Sequence, residues 1–202
     1  MIDRLKNAVD NTVEQFQKYA TSFLSERDIQ AWLFVELRNA TVEHWNNYPA
    51  GGVNSRFGFR DPFRIRPITT EYYLYKGERD RFDIAVLSAE QDPDSALWRQ
   101  PCRIAIEIKL WQPGYGEPGY RSDIKKLEEY QNYMQNNFIP TRPFTGVSML
   151  FVHPYAKTGP TAILDERSGD DYPENGVAWH VITEGGHWWK QMPPPSIPDF
   201  VV

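Results

Sequence analysis

Arg81-Phe82-Asp83-Ile84-Ala85-Val86-Leu87 and, further on, Ile104-Ala105-Ile106-Glu107-Ile108-Lys109 are two apolar stretches, each with charge in its interior. The period of both is two, the spacing of a β-strand. In the second, Ile104, Ile106 and Ile108 fall on one face and Ala105, Glu107 and Lys109 on the other. Opposite charges thus share one half-buried surface. A charge left there without a partner costs several kcal/mol, so something must compensate it. A divalent cation, with Asp83 as a further ligand, would do so. Hard cations such as Mg²⁺ or Mn²⁺ take carboxylate and water oxygens and need few protein ligands.

The segments on either side set the order of elements. Ile2, Leu5, Val9, Val13, Phe16, Ala20 and Phe23 form one apolar helical stripe. This amphipathic N-terminal helix either packs on the domain or pairs with another copy. Ser25, followed by Asp28, caps a second helix that runs to about residue 40. On it Glu26, Gln30, Leu33 and Leu37 share a stripe that Glu36 lies off, which favours Glu26 over Glu36 as the helix acid. Residues 46–66 have loop composition and include Arg56, Arg60, Arg64 and Arg66. Strands are expected from 68 to 75, 82 to 87, 103 to 111, 147 to 152 and 177 to 182, with a helix from 122 to 137. A Pro-rich stretch ends the chain.

In this order the residues resemble the PD-(D/E)XK nuclease superfamily, over roughly residues 25–152. Asp83 falls at the family's Asp, Glu107-Ile108-Lys109 at its (D/E)XK tripeptide and Glu26 at the acid of the first helix. Phe82 replaces the proline of the family name. Lys126-Leu127-Glu128-Glu129-Tyr130 is similar to the Gln-x-x-x-Tyr motif of RecB-like members, with Lys126 in place of Gln. The resemblance implies an α/β fold with a restriction-endonuclease-like core: a mixed central β-sheet flanked by helices, here with an extra N-terminal helix. It also implies Asp83, Glu107 and Ile108 as metal positions, Lys109 as the residue that orients the hydrolytic water, and Glu26, Lys126 and Tyr130 as further catalytic positions. Lys126 could equally face solvent. The activity implied is hydrolysis of phosphodiester bonds with Mg²⁺ or Mn²⁺, in DNA ahead of RNA. The alternative is a catalytically silent nuclease fold acting as a nucleic-acid-binding or assembly subunit.

Other readings carry less. Gly114-Tyr115-Gly116-Glu117-Pro118-Gly119 matches a dinucleotide fingerprint formally. Pro118 removes an amide a phosphate would want, and the preceding strand carries Glu107 and Lys109, so a flexible loop beside the site, touching substrate, is preferred. His44, His153, His180 and His187 lack metal-ligand spacing. Trp188 and Trp189 are the tryptophans best placed for docking a partner, although local packing accounts for them as well. Cys102, the single cysteine, forms no internal disulfide and fits a core strand in a reducing compartment.

With 202 residues the chain fits one domain: an N-terminal helix at 1–24, a core at 25–183 and a tail at 184–202. No run approaches the roughly 18 apolar residues of a membrane span and no signal peptide is evident, so a cytoplasmic protein without membrane contact is expected. The net charge of −5 disfavours indiscriminate nucleic-acid binding but leaves room for local basic patches. A homodimer or a partner subunit is compatible with all of this.

Overall fold

The computed structural model describes residues 2–48, 63–73, 81–88, 101–112, 119–137, 144–156 and 176–191. The Gly-rich segment 113–118, Arg56 and Arg60, and the Pro-rich end from 192 lie outside them. Helix α1 (Ile2–Tyr19) passes through a 3-10 turn (Ala20–Ser22) to helix α2 (Glu26–Ala40). The short strands β1 (Asn46–Tyr48) and β2 (Phe63–Ile65) follow, then β3 (Ile68–Tyr73), β4 (Arg81–Leu87) and β5 (Cys102–Trp111). Helix α3 (Tyr120–Asn137) leads to β6 (Thr145–Val152), β7 (Gly176–Thr183) and β8 (Gly186–Gln191).

Strands β3 to β8 form one six-stranded sheet in chain order. β3, β4 and β5 pair antiparallel, β5, β6 and β7 pair parallel, and β8 returns antiparallel to β7. The molecule is therefore an α/β protein with a mixed sheet flanked by helices. The switch of direction falls at β5. A parallel neighbour cannot be reached through a tight hairpin, and α3 supplies the crossover to β6.

Alternation along β5 sorts its residues between two cores. Ile104, Ile106, Ile108 and Leu110 join Ile29, Leu33 and Leu37 of α2 and the buried stripe Leu5, Val9, Val13 and Phe16 of α1. Phe16 meets Phe151 of β6 edge-on, with ring centroids 4.9 Å apart. The N-terminal helix thus packs on its own domain, which settles one of the alternatives its stripe left open. On the other side, Ala105 and Trp111 lie with Ile124, Leu127, Tyr130 and Met134 of α3. Gly146 on β6 lets α3 come close, since a Cβ there would lie 3.1 Å from Leu127 Cβ.

The entry of α2 is fixed by the residues that predict it. The Ser25 and Asp28 N–H groups each donate to the other residue's side-chain oxygen, at 2.8 Å to Asp28 Oδ2 and 3.4 Å to Ser25 Oγ, a reciprocal capping box. Two expectations need correcting. Residues 46–66 are not wholly loop, because β1 and β2 pair as an antiparallel ribbon. The sheet also runs past residue 183: β8 pairs with β7 through Trp189 opposite His180. Trp189 is buried and stacks on His180 at 3.8 Å between centroids, so its ring fills the core rather than a partner's surface. His180 Nε2 lies 2.9 Å from His187 Nδ1. Burial holds the His180 pKa well below the usual histidine range, and the neighbouring His187 adds to this. Among the described residues no helix is long and apolar enough to cross a membrane.

Candidate active site

The site lies where the sheet splits. β4 and β5 pair from Leu87 opposite Cys102 to Ile84 opposite Ile106, and no further pair follows. β4 stays with β3 as far as Arg81 opposite Tyr73, so its first residues leave β5. Asp83 and Glu107 are the next residues on the two strands. The parting bares main-chain donors of β5 that a neighbouring strand would otherwise satisfy, and buried donors need partners.

Two carboxylates take them. Asp83 Oδ2 accepts from the Ile108 N–H at 2.7 Å, and Glu26 Oε1 accepts from the Leu110 N–H at 3.4 Å. Ile108 and Leu110 are two apart, so their amides point to the same edge. Gln30, one turn along α2 from Glu26, donates through Nε2 to the Asp83 carbonyl at 2.8 Å. The stripe of Glu26 and Gln30 therefore does face these strands. Glu36 lies elsewhere, accepting from Asn11 Nδ2 at 3.2 Å.

On the α3 side, two lysines stand among the acids. Lys109 Nζ lies 3.4 Å from Asp123 Oδ2 and 3.6 Å from Glu26 Oε2. Lys126 Nζ lies 2.6 Å from Glu107 Oε1 and donates to the Arg81 carbonyl at 2.8 Å. The side chain of Glu107 is only 2% exposed. Glu71 of β3, on the rim, has a left-handed φ of 52°, which is uncommon outside glycine. Its carboxylate accepts from Gln30 Nε2 at 3.4 Å and faces Arg81 at 4.0 Å.

Electrostatics follow from this crowding. Burial pushes the Glu107 carboxyl up to about 8, with Lys126 opposing the rise and the Asp83 charge adding to it. Asp83 is also raised by burial, against the Ile108 amide and the charges of Lys109 and Lys126. Asp123 is raised by burial, against Lys109 and Lys126. Burial acts to lower Lys109, but Asp123, Glu26, Asp83 and Glu107 together outweigh it and its pKa is raised. Lys109 is accordingly an ammonium at neutral pH.

Glu26, Asp83, Glu107, Lys109 and Lys126 are thus brought together. Tyr130 is not. It lies one turn beyond Lys126 on a helix that runs back along β5, and its hydroxyl accepts from the Cys102 N–H at 3.1 Å, with its ring edge-on to Phe82. It belongs to the core beneath the sheet. The Ile108 side chain is buried on the opposite face, so only its main-chain oxygen could serve a metal. Asp123 is the member sequence reasoning missed. An acid in the first turn of a helix is ordinarily explained by the helix dipole, and nothing in its spacing ties it to β5.

Among the described residues, four carboxylates face two ammonium groups in this cluster; ionised together they would leave two negative charges, the amount one divalent cation neutralises, and without such a charge burial keeps the proton on Glu107 up to about pH 8. The donors are hard oxygens, as Mg²⁺ and Mn²⁺ prefer. Among the described residues no three His, Cys, Asp or Glu side chains are already gathered around a common point. Two carboxylates suffice for Mg²⁺ when water and a substrate phosphate complete its shell. Asp83 and Glu107 offer oxygen donors of the kind such a cation takes. Comparison with protein-family models, curated proteins and solved structures found no match to this chain.

Proposed function

We propose that this chain is a metal-dependent nuclease of the PD-(D/E)XK type, with a restriction-endonuclease-like core, that hydrolyses phosphodiester bonds in DNA ahead of RNA. The observation that carries the reading is the meeting of Asp83, Glu107 and Lys109 at the split between β4 and β5, with Glu26 of α2 beside them. Asp83 and Glu107 would hold Mg²⁺ or Mn²⁺. When bound, the cation supplies positive charge to the phosphate and makes its water more acidic.

The chain's own residues do the rest. Lys109 presents its ammonium beside Glu107 on the strand face and stabilises charge that grows on the phosphate. Asp123 and Glu26 hold that ammonium from two sides. Gln30 fixes the backbone of Asp83. Lys126 lies 2.6 Å from Glu107, where it favours the ionised carboxylate, and is a second cation close to the site.

That last contact also favours a second reading, a silent nuclease fold serving as a binding or assembly subunit. At 2.6 Å, Lys126 already gives Glu107 the charge a metal would bring. Incubation of plasmid, single-stranded DNA and RNA with the protein and Mg²⁺ or Mn²⁺ separates the two. Cleavage that EDTA and Asp83→Ala both abolish supports the nuclease. Intact substrates under all these conditions support the silent fold.

A further inference from the structure

At the far end of α2 the chain gathers positive charge around one aromatic ring. Trp45 is 44% exposed. The guanidinium of Arg66 lies 4.0 Å from its ring centroid and that of Arg64 5.7 Å. Arg66 is anchored by the carbonyls of Thr41 and Val42, where the C-terminal end of α2 favours a cation. Beside the ring, the buried Asn46 side chain donates to the Ser88 carbonyl at 2.9 Å and the Leu87 carbonyl at 3.5 Å, which ties this backbone to the end of β4. The ring and the Arg66 guanidinium are therefore held in place before anything binds.

A purely structural reading makes Arg66 a cap for α2 and Trp45 its cover. That accounts for Arg66. It leaves Arg64, exposed on β2, and the open part of the indole without a task. Among the described residues neither arginine has a carboxylate within ion-pair distance. In a chain of net charge −5, two guanidinium groups around a half-exposed indole complement a polyanion that also carries flat apolar rings. Nucleic acid has that chemistry, with bases stacking on the indole and phosphates meeting the guanidinium groups. Only an unpaired base offers a free face, so the preferred form is single-stranded.

We propose that Trp45, Arg64 and Arg66 form a docking platform for a single-stranded segment of nucleic acid, apart from the acid cluster. Its substrate class rests on the nuclease reading. Helix α2 has Glu26 in the acid cluster at one end and the platform at the other, and its 15 residues span about 22 Å at 1.5 Å each. A strand engaging both would need at least about seven stacked nucleotides, at 3.4 Å per step. Short oligonucleotides should reach one end only.

The test is fluorescence anisotropy with labelled oligothymidylate in EDTA, so that no cleavage enters. Wild-type protein and Glu36→Gln, whose native contact is Asn11, should bind alike. Trp45→Ala should weaken binding by about tenfold, with Trp45→Phe recovering most of it. Arg64→Ala should flatten the dependence of log K on log salt by about 0.7. Urea unfolding of each variant reports that the fold is intact. No binding by the wild-type protein, unchanged affinity in folded Trp45→Ala and Arg64→Ala, or equal competition by blunt duplex would overturn the platform. A wild-type protein that binds through Trp45 yet never cleaves with Mg²⁺ or Mn²⁺ would sink the nuclease reading and leave the platform standing.

Discussion

Glu107→Gln tests the charge balance of the cluster directly. Burial holds the Glu107 carboxyl at about 8, whereas it titrates near 4.5 when exposed in the unfolded chain. Below about pH 4.5 both states carry the proton and stability is indifferent to this group. Between there and about 8 the native state keeps a proton the unfolded chain has lost, so stability falls as pH rises. Above about 8 both states are ionised and the full penalty is present. At 1.36 kcal/mol per decade, the gap between 4.5 and about 8 amounts to about 5 kcal/mol. Gln is neutral throughout and lacks this slope, while Lys126 keeps the Arg81 carbonyl at 2.8 Å as a partner. Asp83 and Asp123, which burial also raises, titrate in both proteins and largely cancel. Urea unfolding in EDTA, from about pH 4 to pH 9, should show Glu107→Gln gaining on wild type by several kcal/mol across that range. Parallel stability curves would refute the argument, because they would mean that Glu107 ionises in the native state as it does in water. Mg²⁺ added near pH 8 should restore stability to the wild-type protein and not to the variant.

Lys109→Ala should retain metal binding by calorimetry and lose single-turnover cleavage by about 10² or more at saturating Mg²⁺. Wild-type rates would leave Lys109 as a mere ion-pair partner of Asp123 and Glu26. Glu26→Gln should reduce cleavage, whereas Glu36→Gln, whose native contact is Asn11, should not; the reverse pattern in the same assay would show that the wrong helix acid was assigned. Gly146→Ala should destabilise the fold by about 1–3 kcal/mol, since its Cβ would press on Leu127 at 3.1 Å and Phe144 at 3.3 Å. An unchanged urea midpoint would mean that α3 is not seated that closely on β6.

The parts of this fold legible in the sequence are those with a period. Alternation placed Glu107 and Lys109 together on one face of β5, and the helical stripe placed Glu26 and Gln30 toward Asp83. Ser25 and Asp28 announced the start of α2 because capping is local chemistry. What was not legible depends on distance in sequence. Asp123 meets Lys109 only because α3 lies along β5, which no spacing encodes. Tyr130 shares a helical face with Lys126, yet one turn carries it from the acid cluster to the start of β5. The ribbon of β1 and β2 has loop composition, and its pairing joins segments more than ten residues apart. Strand β8 was signalled by Glu184-Gly185-Gly186, a tight-turn sequence between two apolar runs, but the prolines that follow drew the boundary too early.

One consequence of the split sheet concerns observation rather than chemistry. The Ile108 amide is held by the side chain of Asp83. Its hydrogen exchange is therefore gated by rotation of one carboxylate, and strands need not separate for deuterium to enter. In a nitrogen–proton correlation spectrum this amide is a resident reporter on Asp83. Its resonance should lie downfield while the carboxylate is ionised and move when a proton or a cation draws electron density from the acceptor oxygen. A single cross-peak can thus follow occupancy of the site with no probe attached beyond isotopic nitrogen and no substrate present.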